Sequence, residues 1–204
     1  MPGMGIGYLL GIVLTWTSAA AQPAAQVEAM RREADAIWRP HGVAIAVLTP
    51  AQAASPSAAD GQLVVTLIHA AQRPATTGRR APLGAILFDH DNVPATTITI
   101  DVAAVTATVV GVRWGGRTLD QWPAALRDAV VGRALGRVLA HEIGHYLLAS
   151  RAHGDEGLMR AIFDGDELAR PGRTTFAMAD RDLPRLRARL GGLDRTSTLA
   201  ERER

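Results

Sequence analysis

The sequence predicts an α+β domain with strands and helices segregated along the chain. Three observations carry this. Four short apolar runs fall between residues 43 and 101, one long helical segment follows from about residue 123 to 149, and a shorter leucine-periodic helix closes the chain at 182–190. With 204 residues, 48% of them hydrophobic and 21% charged, the chain can bury one substantial core.

In chain order, Ile6–Trp16 (IGYLLGIVLTW) is an uncharged apolar run, followed by the small residues Ser18 to Ala21. That pattern reads as an export signal over 1–21, cut after about Ala21, or as an N-terminal anchor over residues 4–21 if it is kept. The expected location is secreted or periplasmic, with membrane contact only if this segment is uncleaved. The expected domain is then 22–190.

Val27 to Trp38 has helical period, with Met30, Ala34, Ile37 and Trp38 on one face, and Pro40 and Gly42 stop it. Val43–Leu48, Leu63–Ile68, Leu83–Phe88 and Ala95–Asp101 read as strands, the last alternating so that Ile98 and Ile100 face the core. Asp89, His90 and Asp91 read as polar turn residues, with cleft lining or structural calcium as the alternatives. His41 and His69 read as structural. The long helix starts at Pro123, a favoured first-turn residue. Gly132, Gly136, Ala140 and Gly144 recur on it every four residues, a stripe that lets another element approach closely. Gly154–Gly172 reads as irregular, and residues 191–204 as a polar tail.

Composition excludes several functions. There is no cysteine, so disulfides, thiol nucleophiles and thiolate metal sites are absent. The net charge is +2 and every basic residue is an arginine, scattered rather than striped, which argues against nucleic acid as a partner.

The chemistry centres on His141-Glu142-Ile143-Gly144-His145. Residues four apart lie one helical turn apart on one face, so both imidazoles can aim at one zinc ion. Glu142 lies beside them, placed to take a proton from a zinc-activated water. With six His and seven Glu in the chain, chance yields about 0.006 such motifs. A zinc enzyme needs a third protein ligand and one open position. His153 is the first candidate, because the residues between it and the helix end reach up to roughly 13 Å. Asp155 and Glu156 are the nearest competitors, followed by Asp164, Asp166 and Glu167.

The stretch HEIGHYLLASRAHGDEGLM resembles the metzincin clan of zinc metallopeptidases, most of all its matrixin-type members. Their pattern is HExxHxxGxxH followed by a short turn containing Met. His141, Glu142 and His145 match it, His153 takes the place of the third histidine, and Met159 that of the Met-turn. The spacing departs: His153 stands eight residues after His145 rather than six, Arg151 occupies the sixth place, and Leu148 replaces the glycine. Some members also place a Tyr after the Met-turn, where this chain has Arg160 and Ala161.

The resemblance implies a zincin-like α+β fold: a mixed twisted sheet, an active-site helix, an irregular Met-turn segment and a C-terminal helix. It also implies one catalytic Zn2+ held by His141, His145 and His153, with Glu142 as general base. The activity implied is that of an exported zinc-dependent endopeptidase acting on a peptide or protein substrate. The substrate would pair with a sheet edge at Ala95–Asp101. The competing reading is a zinc-holding module of the same fold that binds a peptide or partner without cleaving it.

Overall fold

The computed structural model describes residues 8–16, 22–48, 61–69 and 82–202. Strands β1 (Tyr8–Trp16), β2 (Val43–Leu48), β3 (Gly61–Ile68), β4 (Gly84–Phe88) and β5 (Pro94–Asp101) form one sheet in the order β2-β1-β3-β5-β4. The β1·β2, β1·β3 and β3·β5 pairs are parallel, and only β4 runs antiparallel, on β5. A small ribbon, β6 (Arg113–Trp114) and β7 (Arg117–Thr118), lies apart. The helices are α1 (Ala24–Trp38), α2 (Val102–Val110), α3 (Ala124–Leu148), α4 (Gly165–Ala169) and α5 (Leu183–Arg202). Strands, one long helix, an irregular segment and a closing helix therefore follow in the expected order.

Several expectations change. Of the segment read as an export signal, Tyr8–Trp16 forms β1, an interior strand with Leu10 and Ile12 fully buried, and residues 1–7 and 17–21 lie outside the described residues. The physical reason is that an interior parallel strand is covered on both faces, so it too reads as an unbroken apolar run. Leu14↔Val65 and Ile12↔Val47 register it against both neighbours. Among the described residues, no helix is long and apolar enough to cross a membrane.

The strand expected at the sheet edge, Ala95–Asp101, is interior; β4 is the edge. Residues Val102–Val110 form a helix although VAAVTATVV is β-branched and strand-prone. Asp101 caps this helix, its carboxylate accepting the Ala104 N–H at 2.9 Å. The C-terminal helix also continues through Arg202 instead of fraying at Gly191. Glycine in a helix costs about 1 kcal/mol but does not forbid it.

Helix α3 is placed by α1. A Cβ at Gly132 would stand 2.6 Å from Ala29 Cβ, and one at Gly136 would stand 2.7 Å from Glu33 Cβ. The small-residue stripe thus admits α1 at backbone range. Trp38 is fully buried at the end of α1, and its Nε1–H donates to the Ala140 carbonyl at 3.1 Å. Asp35 accepts the Ile45 N–H at 2.9 Å, which ties the same helix end to β2.

A buried ion network locks α3 to the chain after the site. Arg137 is fully buried; its Nε donates to Glu33 at 2.9 Å and its guanidinium lies 4.4 Å from the Phe176 ring centroid. Its other nitrogens donate to the Glu167 carbonyl and, at 2.6 Å, to that of Gly172. Arg173 covers the second Glu33 oxygen at 2.8 Å. Replacing Arg137 with alanine takes the donor from one oxygen of the buried Glu33 carboxylate, Arg173 keeping the other, and from two carbonyls. The expected loss is about 3–5 kcal/mol of unfolding free energy, read by chemical denaturation. A loss under about 1 kcal/mol would mean that the network contributes little.

Candidate metal centre

Helix α3 carries His141, Glu142 and His145 in its last two turns, all three buried. It ends at Ala149, whose left-handed φ of 44° turns the chain back. The turn lets His145 Nδ1–H donate to the Ser150 carbonyl at 2.6 Å, and the Ala152 N–H donates to Ser150 Oγ at 3.2 Å. This turn brings His153 back over the helix.

The three Nε2 atoms converge. Those of His141 and His145 are 3.1 Å apart, those of His145 and His153 3.2 Å, and those of His141 and His153 3.3 Å. Three nitrogens bound at about 2.0–2.1 Å to one tetrahedral zinc stand about 3.3–3.4 Å apart, so this triangle is close to, and slightly tighter than, one face of such a tetrahedron. Tautomers support the fit. His141 Nδ1–H donates to the Leu158 carbonyl at 2.7 Å, as His145 Nδ1–H does to Ser150. Those bonds leave the Nε2 atoms of His141 and His145 as lone-pair donors facing His153 Nε2, an arrangement that a cation satisfies and hydrogen bonding among them does not.

Burial lowers the proton affinity of all three rings. His141 is pushed down to about 4, chiefly by desolvation, against the Leu158 hydrogen bond. His145 and His153 are lowered for the same leading reason. The rings are therefore neutral at neutral pH, the form that binds metal. Burial acts the opposite way on Glu142, raising its carboxyl to about 7, while the Ile86 backbone N–H that bonds to it opposes the rise. A carboxyl titrating near neutrality suits proton transfer.

His141, His145 and His153 form the one group of three potential ligands among the described residues. Asp155 is drawn away by Arg181, at 2.5 Å, and Glu156 is exposed. Asp164 and Glu167 cap α4 through a reciprocal pair of hydrogen bonds. Asp89 folds onto its own turn, accepting the N–H groups of Asp91 and Val93 at 3.0 and 2.8 Å. His69 pairs with Gln22 at 2.9 Å, and His41 lies edge-on to Trp38.

Met159 is buried, and its Sδ occupies the space that a Cβ on Gly144 would need. Gly157, at φ 68°, sharpens the turn leading to it, and Leu158 N–H donates to the Ala177 carbonyl at 2.8 Å. Sequence reasoning missed the carbonyls of Ser150 and Leu158, because a backbone acceptor carries no residue-type signal. It also missed Phe163, which lies edge-on to His141 at 5.9 Å and stacks on Phe176.

The centre opens into a cleft of about 500 Å³, lined on one wall by β4 and on the others by His141, Glu142, His153, Arg151 and Phe163. Gly84 makes this close approach feasible: a Cβ there would stand 2.9 Å from Glu142 Oε1 and 2.8 Å from Val138 Cγ1.

Removing the His153 ring leaves two ligands. We expect His153→Ala to bind zinc more than about 100-fold less tightly, measured by chelator competition, while Asp155→Ala and Glu156→Ala bind as wild type. Unchanged affinity in His153→Ala would remove it from the ligand set.

No protein-family model matches the sequence, and no curated protein matches it. Among solved structures, the chain is similar to an archaemetzincin from Methanopyrus kandleri. The two are 13% identical, with a TM-score of 0.49, over 94% of this chain and 99% of that one.

Proposed function

We propose that this chain is a zinc-dependent endopeptidase. The observation that carries the reading is the triangle of imidazole nitrogens in a cleft that also holds a buried carboxylate and, among the described residues, the edge strand of the sheet. His141, His145 and His153 would hold the ion. Zinc, when bound, supplies a Lewis acid that polarises a carbonyl and acidifies water.

The chain's own groups do the rest. Among the described residues, strand β4 has a neighbour, β5, on one side only, so its outer edge can align an extended peptide by main-chain hydrogen bonds. Glu142 takes the proton of the attacking water on its carboxylate and returns it to the leaving amine. The carboxylate stands against the strand that would carry the substrate, at Gly84, where a Cβ would lie 2.9 Å from its Oε1. Met159 and Gly144 give the ligand helix a close-packed floor. The proposal assigns residues 8–16 to the catalytic domain as β1 rather than to a removable leader. The test is zinc content and peptide cleavage in wild type and Glu142→Ala.

A further inference from the structure

Among the described residues, two guanidinium groups line the cleft, and they are not equivalent. Arg160 is neutralised by Glu167, at 2.6 Å, and lies over Phe163. Arg151 pairs with no carboxylate among the described residues. One of its nitrogens donates to the neutral Asp89 carbonyl at 2.7 Å, and its guanidinium lies 5.2 Å from the centroid of Phe88, the last residue of β4. It is exposed, held at two points, and has donors left over. Glu142 is the sole acidic residue lining the cleft among the described residues.

We propose that Arg151 selects substrates bearing a carboxylate side chain on the N-terminal side of the scissile bond. This rests on reading the cleft as that of a peptidase. Glu142 marks the reaction centre and stands against β4 at Gly84, with Ile86 lining the same cleft, whereas Arg151 sits at Phe88. A peptide added to β4 in the more stable antiparallel sense runs from Phe88 towards Gly84. Its residue beside Arg151 therefore precedes the reacting carbonyl by roughly two to four positions, at about 3.3 Å each. A fixed guanidinium fork binds a carboxylate through two parallel hydrogen bonds, and little side-chain freedom remains to be lost.

The experiment uses the zinc-loaded full chain and a set of quenched fluorescent peptides. Each carries a single Glu, Gln or Lys, moved from four residues before the bond to three after it, with the cleaved bond identified by mass spectrometry. The expected result is a preference for Glu over Gln of about tenfold in kcat/KM at one position two to four residues before the bond. In Arg151→Gln that ratio falls to about one, and in Arg151→Glu the preference turns to Lys. A purely structural brace would lower kcat/KM for every peptide alike and leave the ratio intact.

A wild-type ratio near one, a ratio that survives Arg151→Gln, or a preference on the C-terminal side overturns the proposal. If zinc-loaded wild type cleaves no peptide, the peptidase reading fails separately. Anisotropy of the same peptides, labelled, then decides carboxylate selection: an Arg151-dependent preference for Glu supports it, and equal binding of Glu and Gln overturns it.

Discussion

Replacing Glu142 with alanine is expected to leave zinc binding intact and to lower kcat/KM for peptide cleavage by about 10²- to 10⁴-fold, the range supplied by a positioned acid–base group. The prediction separates two roles within five residues of helix. His141 and His145 present their Nε2 atoms to His153, whereas the Glu142 carboxylate is turned towards β4 at Gly84. Truncating Glu142 removes no member of the nitrogen triangle. It also removes a carboxylate that burial already disfavours, so the fold should not suffer. Metal analysis reads the first half of the prediction, and kinetics the second. Equal cleavage by both proteins would reject the catalytic role. A zinc-loaded wild type that binds peptides and never cleaves them would favour the zinc-holding binding module.

The second large effect concerns the N-terminal run. A chain beginning at Gln22 is expected not to fold. It lacks β1, whose backbone pairs with β2 on one side and β3 on the other. Leu10 and Ile12 are fully buried, and each contributes about 1.5–3 kcal/mol relative to exposure. Their loss, together with two unpaired ladders, is comparable to the whole stability of about 5–15 kcal/mol of an ordinary domain. Circular dichroism and thermal unfolding of the two chains measure this. A truncated chain that melts cooperatively at the wild-type temperature would show that Tyr8–Trp16 is dispensable to the sheet.

The site was more legible than the sheet. His141, Glu142 and His145 could be placed from spacing because an α-helix fixes the relation of residues four apart locally. His153 could be nominated by chain reach, although the unusual eight-residue spacing gave no geometry. The structure supplies the missing part in the left-handed Ala149, whose turn brings the ring back. The glycine stripe was visible as a repeat, but only the structure assigns its members: Gly132 and Gly136 face α1, and Gly144 faces Met159. Arg137 gave no signal, because a buried arginine looks like any other until Glu33, 104 residues away, is packed against it.

By itself, the sequence determined the long helix, its paired histidines and carboxylate, the run of short strands and the absence of any sulfur ligand from cysteine. These follow from covalent spacing and from periodicities read within a few residues. Tertiary structure alone decided that Tyr8–Trp16 is an interior strand, that β4 rather than β5 borders the cleft, and that Val102–Val110 coils into a helix. Each of those outcomes depends on which distant segment covers a surface. An apolar stretch has the same pattern whether a membrane, an export channel or two neighbouring strands remove it from water.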